Sequence, residues 1–491
     1  MEPTASPRRS ALASGFLTAA SLAVITGLSA VVGLVIARQF GRGAETDGFF
    51  AAYSIFLVLV LVGTAMRVAV IPPLARARAA GTFARELGSY AAAIGVIALP
   101  ALVLALLASD WLGGQLTVGL PEVSQETAAE TLRFVVPAAI AQVYAALAAS
   151  ALAAYDSYAT AAVGFAAGSA GGLALILLLV DEHGISAVAW GMLLNGAVAL
   201  AIPVLALVRR TSLRGIGATA VGSRLLELAR AVALPIVLQG LFVVCIRFVS
   251  ELGTGAVTSF TYAYLVAAAL VAVTASSLGL VSSVPLARGE LTDRRAADHV
   301  IRTSWLAFAA IAAAAGVFAL VGDRFLGAVL GPEYAGETGN ELGRLIGFLG
   351  VWMAASVGVT ITFPLLFVAA RDRLLPAIAL GALVLHVAVS WALIEAWELV
   401  GATLALAVTT LAILVALLTL LSRAVLFHAG RGLGLAALAT GGLAALSFGG
   451  LDLVAGAVLA AALGLALFGG LLFATRSLGL RQAWAYLRAL Q

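Results

Sequence analysis

The chain is 491 residues long, 63% hydrophobic and only 11% charged, with a mean hydropathy of +1.10. A soluble fold cannot hide that much apolar surface, because polar groups must cover its exterior, whereas a bilayer solvates it directly. The net charge of +4 is carried by arginines alone, since the chain has no lysine, and anionic lipid headgroups account for it without nucleic acid.

Residues 1–12 are polar and basic, and are expected to lie at the cytoplasmic face as a short N-terminal segment. The first apolar run lacks a small-residue cleavage pattern, which predicts a retained anchor. Fourteen charge-poor runs follow, near 13–37, 48–72, 88–109, 129–153, 159–180, 185–208, 225–250, 257–284, 300–322, 342–369, 375–397, 399–421, 432–450 and 453–475. Each is long enough to cross a hydrocarbon core of about 30 Å at about 1.5 Å per residue. The runs are continuous rather than alternating, so they predict helices and not barrel strands. The closing stretch 476–491 carries Arg476, Arg481, Arg488 and Trp484 on a short amphipathic pattern, expected to lie along the inner interface.

Arginine placement orients this map. With the N-terminus inside, all but seven of the 28 basic residues fall on cytoplasmic segments or helix ends; the exceptions are Arg38, Arg42, Arg67, Arg133, Arg247, Arg324 and Arg344. That bias is what the positive-inside rule requires, and it predicts both termini inside, in a bacterial inner membrane.

An internal repeat organises the spans. At a constant offset of 212, Gly41, Gly43, Ala44 and Thr46 match Gly253, Gly255, Ala256 and Thr258, and Pro73–Arg76 (PLAR) matches Pro285–Arg288. At slightly larger offsets Asp110 pairs with Asp323, and Asp156 with Asp372. Six spans separate the copies, so they share one orientation. The expected architecture is all-α and polytopic: two parallel six-helix lobes, 13–208 and 225–421, a cytoplasmic linker at 209–224, and two further helices in 422–475. Pro100, Pro137, Pro203, Pro235 and Pro364 fall within or near the ends of spans, where each removes a backbone donor and can kink its helix. Gly168, Gly171 and Gly172 suit close helix packing.

No enzyme site emerges. The histidines at 183, 299, 386 and 428 lie on different segments, so metal-ligand pairs at helical spacing are absent. There is no GxxxxGK[ST] loop for a nucleotide. The one cysteine, Cys245, sits inside the seventh span and cannot form an intramolecular disulfide. Neither a metal nor a cofactor is expected.

The stretch Ala37–Phe50, ARQFGRGAETDGFF, followed by Gly63–Pro72, resembles the N-terminal motif of the MurJ/MviN lipid II flippases, a branch of the multidrug/oligosaccharidyl-lipid/polysaccharide exporter superfamily. Gly184–Gly191 (GISAVAWG) resembles the start of that family's sixth helix. The resemblance implies a flippase that moves a polyprenyl-linked cell-wall precursor to the outer leaflet by alternating access. It also implies that the two helices beyond the repeat form a groove for the lipid tail. Cell-wall synthesis enzymes are candidate partners beside the lipids themselves. Where the family carries cavity arginines on its first and eighth helices, this chain has Thr26, Val32 and about Leu265. A Wzx-like flippase for another lipid-linked oligosaccharide is therefore an alternative, ahead of a MATE-like small-molecule antiporter or a non-transporting scaffold.

Six residues are candidates for function. Arg67 lies inside the second span; it either offers a bidentate fork to pyrophosphate or snorkels to the cytoplasmic interface. Asn195 and Gln239 are polar groups within spans, suited to substrate or to helix–helix hydrogen bonds. Asp47 either joins an outer gate or favours a helix start with Thr46 as N-cap. Arg247 is the corresponding gate candidate, with a plain i,i+4 pair to Glu251 as the alternative. His386, in the middle of the eleventh span, is the candidate for proton or ion coupling.

Overall fold

In the computed structural model the described residues are 25, 27–475 and 485, apart from 156, 212–216, 277–291, 370 and 452–455. Most of the first expected span, Asp156, the second PLAR copy at 285–288, part of the linker and nearly all of the amphipathic tail lie outside them. Among the described residues there is no strand. The helices are α1 (Gly27–Phe40), α2 (Ala44–Ala79), α3 (Phe83–Leu107), α4 (Ser109–Leu116), α5 (Glu122–Ala153), α6 (Tyr158–His183), α7 (Ser186–Arg210), α8 (Val221–Val249), α9 (Ala256–Val271), α10 (Asp293–Leu330), α11 (Glu337–Val368), α12 (Leu375–Leu421), α13 (Arg423–Phe448) and α14 (Ala457–Ala474).

Twelve described helices are long and apolar enough to cross a membrane, with α1 a shorter apolar one. The longest, α12, is two helices: Trp397 and Glu398 leave helical geometry, and the arms 375–396 and 399–421 correspond to the eleventh and twelfth expected runs. The chain is a multi-pass, all-α membrane protein.

Several helices run beyond the apolar stretches that announced them. α2 continues through Pro72 and Pro73 to Ala79, and α5 begins seven residues before its expected run, taking in Glu122 and Glu126. Charge marks where a helix leaves the hydrocarbon, not where it stops. The helix α4 was not foreseen; it follows a break at Ala108. The ends are set locally: Thr292 accepts from the Arg295 N–H at 3.4 Å at the start of α10, and Ser422 accepts from the Val425 N–H at 3.0 Å at the start of α13. Within the repeat, α2 and α9 both begin at matched alanines, Ala44 and Ala256.

The chain forms two compact units, residues 1–243 with Gly253–Gly255, and residues 244–252 with 256–491. In the first, the alanine-rich α5 is the central helix. Without large side chains, helix backbones approach closely: a Cβ on Gly48 of α2 would lie 2.3 Å from the Ser124 carbonyl oxygen of α5, and one on Gly196 of α7 would lie 2.6 Å from that of Ala138. Of the three glycines singled out on α6, Gly168 and Gly172 face Asn195 and Gly191 of α7, whereas Gly171 has open space.

Contacts gather one end of this unit. Arg78 donates to the Ala154 carbonyl at 2.6 Å and lies over the Tyr155 ring, which packs edge-on against Phe83. The Tyr155 hydroxyl meets that of Thr211 at 3.2 Å, and Tyr90 donates to Glu227 at 2.9 Å. The end of α2, the start of α3, the ends of α5 and α7 and the start of α8 thus share one rim, with Arg76, Arg78, Arg85, Arg209, Arg210 and Arg224. Beneath it lies a core of Met66, Val70, Leu74, Leu87, Leu147, Leu152 and Leu228.

In the second unit, α10 packs against α11 and α13, and α11 against α9 and α12. Phe448 is clamped between glycines: a Cβ on Gly316 of α10 or Gly464 of α14 would fall 2.2 or 2.4 Å from its ring. Those two glycines let the last two helices dock on α10.

Candidate functional site

Three polar sites and one apolar groove stand out, each inside a single unit. The first is at the start of α2. Helix α2 begins at Ala44 with Gly43 as N-cap, one turn earlier than a Thr46 cap would place it. The Thr46 hydroxyl instead donates to the Phe40 carbonyl at 3.3 Å. Asp47 is fully buried, and its carboxylate accepts from the backbone N–H of Gly255, 208 residues away in sequence. Arg42 Nε donates to the carbonyl of the same glycine at 2.9 Å. Gly255 is therefore held by both backbone groups. Its φ of +87° and the 2.5 Å between an added Cβ and Arg42 Nε explain why this position is glycine. Sequence reading named Asp47 but not its partner; the signal available was the repeat itself, which pairs Gly43 with Gly255.

The other gate candidate, Arg247, belongs to the second unit and forms an ion pair with Glu251 at 2.6 Å, both partly exposed. Exposed pairs of this kind contribute at most about 1 kcal/mol. Arg133, one of the exceptions to the arginine bias, likewise pairs with Asp110 at 2.8 Å and donates to Ser109 at 2.7 Å.

Arg67 on α2 is half-buried, between the fully buried Met66 and Val70 turns. Gln239 is half-buried on α8. Asn195 is half-buried on α7, and its side-chain oxygen lies 2.8 Å from where a Gly168 Cβ would stand. It is thus packed against the glycine face of α6.

The second polar site joins the starts of α3 and α8. Arg224 bridges Glu86 at 2.7 Å and Glu227 at 2.7 Å, with Tyr90, fully buried, donating to Glu227. The Ala220 N–H donates to Ser89 at 3.4 Å. These charges are not among the residues that the sequence singles out, because nothing in their spacing shows that two helices about 130 residues apart share them.

The third site surrounds His386 on the first arm of α12. Nδ1 lies 2.9 Å from Thr409 Oγ1, and Nε2 lies 3.2 Å from Ser390 Oγ and 3.4 Å from Cys245 Sγ. Ser390, one turn after the histidine, was the readable companion; Cys245 and Thr409 come from other helical segments.

The groove is a cavity of about 700 Å³ between α10, α11 and α13, lined by Gly316, Ala319, Gly347, Gly350, Gly441 and Phe448 among others. Its lining is aliphatic or aromatic apart from Thr440, whose hydroxyl donates to the Ala436 carbonyl at 2.8 Å. Such a surface offers dispersion contacts to hydrocarbon and almost no hydrogen bonds.

Neither a family model nor a curated protein matches the sequence. Solved structures do. The inward closed conformation of the lipid II flippase MurJ is similar over 93% of this chain and 99% of its own, with a TM-score of 0.73 and 14% identity. A transporter of the multidrug/oligosaccharidyl-lipid/polysaccharide exporter superfamily from Pyrococcus furiosus is similar over 87% of this chain and 96% of its own, at a TM-score of 0.59 and 15% identity. An outward-facing multidrug resistance MATE transporter of the same superfamily covers the same shares at a TM-score of 0.58 and 16% identity. The chain has the fold of the transporters of that superfamily, in its MurJ type.

Proposed function

We propose that this chain is a MurJ-like flippase that moves a polyprenyl-linked cell-wall precursor, lipid II or a close relative, across the bacterial cytoplasmic membrane by alternating access. The observation that carries the reading is the apolar groove. A polyprenyl tail is a long hydrocarbon that has to stay associated while its head crosses, and a groove lined by glycine, alanine and aromatic carbon suits it. Two of the groove's walls, α10 and α11, belong to the repeat, while α13 lies beyond it. The similarity to MurJ over 93% of the chain supports the same class of cargo.

In this reading Arg67 holds pyrophosphate, with Asn195 and Gln239 as further polar contacts to the head group. Asp47 and Arg247 act near the outer mouth. Both termini face the cytoplasm. A Wzx-like flippase for a different lipid-linked glycan is the second reading. It is favoured by the uncharged Val32 and Leu265, which leave Arg67 as the main candidate for the phosphates.

The test is rescue of a bacterium depleted of its own lipid II flippase, with exposure of lipid II at the outer leaflet as the readout. Growth and exposure are expected to return with the wild-type chain and to fall at least about tenfold with Arg67→Ala, the cost of one charge-assisted phosphate contact. A well-expressed, inserted protein that restores neither sinks the lipid II assignment.

A further inference from the structure

Helix α8 carries the chain out of the first unit, which it leaves after Val243. Among the described residues no other helix backbone keeps close to α8 along its length. Its glycines at 222 and 240 have open space where a side chain would stand. The joints of α2 on α5 and of α6 on α7 are of the other kind, with glycines that let the backbones touch. The cytoplasmic half of α8 is instead held to α3 by the reach of side chains. Leu228 and Val232 share a cluster with Leu87, Tyr90 and Ile94, and the charged network at the helix starts closes it off.

Arg224 spans that gap. One guanidinium nitrogen lies 2.7 Å from Glu86 on α3 and the other 2.7 Å from Glu227 on α8. Tyr90 donates to the same Glu227 oxygen at 2.9 Å, and the Arg224 guanidinium carbon stands 5.2 Å from the centre of its ring. The linker is fastened beside it, where the Ala220 N–H donates to the buried Ser89 hydroxyl.

This tie is made to be undone. Arg224 Nε is buried without a hydrogen-bond partner among the described residues, and a buried donor left unmade costs free energy in the closed form. The side chains of Arg224, Glu86 and Glu227 are 26, 16 and 33% exposed, so water stands ready to replace their bonds when the helices part. A permanent joint between membrane helices has neither feature; it is made by small residues in close contact.

We infer that Arg224, Glu86, Glu227 and Tyr90 form a cytoplasmic latch between α3 and α8 that opens and closes in the working cycle. The closed form is the one in this structure. Opening frees the first turns of α8 and uncovers Ser89 together with the Leu87–Leu228 face. That transport needs the opening rests on the flippase reading; the opening itself does not.

Two measurements separate them. With the full chain in lipid nanodiscs, Ser89→Cys is exposed to a charged, water-soluble maleimide. Its thiol is expected to react slowly, and roughly two- to fivefold faster when Arg224→Gln is added, the range that a partly exposed ion pair supports. Where Arg224→Gln does not insert, Glu86→Gln breaks the same bridge from α3 and is read in the same way. A thiol that never reacts, or reacts at one rate with and without the bridge, overturns the latch. In proteoliposomes with lipid II as probe, Ser89→Cys with Ala220→Cys is joined by a short bis-methanethiosulfonate, which a reductant releases. Movement of lipid II is expected to fall at least about tenfold while the joint is in place and to return on reduction. Undiminished movement with the joint in place overturns the need for opening. If the unjoined protein moves no lipid II, the lipid II reading falls, and the labelling rates still decide the latch.

Discussion

At the scale of single residues, the Asp47–Gly255–Arg42 arrangement concentrates the most constraint. A carboxylate buried within the fold is expensive unless it accepts hydrogen bonds, and Asp47 accepts one from a backbone N–H whose carbonyl is bound by Arg42. Gly255→Ala adds a Cβ at a left-handed φ and drives it into the arginine side chain. The expected loss is about 1–3 kcal/mol, read as a lower midpoint in thermal unfolding in detergent, with Gly253→Ala, whose Cβ meets open space, losing less. Equal losses would show that the Arg42 contact adds nothing. Asp47 was legible because its motif is legible; its partner was not, because a backbone N–H leaves no mark in composition. The same holds for Thr409 beside His386: sequence shows that a threonine is present in a span, but not which way its helix is turned.

At the scale of elements, hydropathy located the helices and misjudged their ends, since helices continue past the point where charge begins. The break in α12 is the instructive case. The sequence separated the eleventh and twelfth runs at residue 398, and the structure turns the chain there, with Glu398 at φ +51° and ψ −130°. The equivalent turn between α6 and α7 uses Gly184 at φ +59° and ψ −143°. Two copies of the repeat thus make one turn, once with a residue suited to it and once without. Glu398→Gly is expected to stabilise the protein by about 1 kcal/mol, and Gly184→Ala to destabilise it by a similar amount, in thermal unfolding. A destabilised Glu398→Gly would show that the glutamate side chain contributes more than its backbone strain costs. The groove gives another element-scale expectation. Gly350 lines it and has open space where a side chain would stand, so Gly350→Leu fills the groove without a backbone clash. Photo-crosslinking by a polyprenyl phosphate analogue is expected to fall at least about fivefold, roughly 1 kcal/mol of lost dispersion contact. Unchanged labelling would place the tail elsewhere.

At the scale of the whole molecule, the arginine bias and the contacts of the first unit agree with each other. Arg76, Arg78, Arg85, Arg209, Arg210 and Arg224, scattered over 150 residues of sequence, meet on one rim because consecutive helices alternate in direction. Asp47, Asp110 and Glu122 belong to the loops and helix starts at the other end, where Arg133 answers Asp110. The positive-inside rule then predicts that a protease site inserted at Gly81 is cut only from the cytoplasmic side and one at Gly119 only from outside. Cleavage with the sides exchanged would reverse the orientation. Overall class and repeat were readable from the sequence because both are written in periodic, redundant signals. A groove was implied only by the family resemblance, and its walls on α10 and α11 were not readable, because they are built from glycines and alanines that look like any others in a chain with 52 glycines.

The burial of Cys245 has a practical side. The chain's one thiol is sealed among α8 and the two arms of α12, so maleimides and spin labels have no native target on the surface. The wild-type sequence is in effect its own cysteine-free background for distance measurements by paired labels. Any native reaction with such a reagent would be a direct signal that the helices around the histidine have parted.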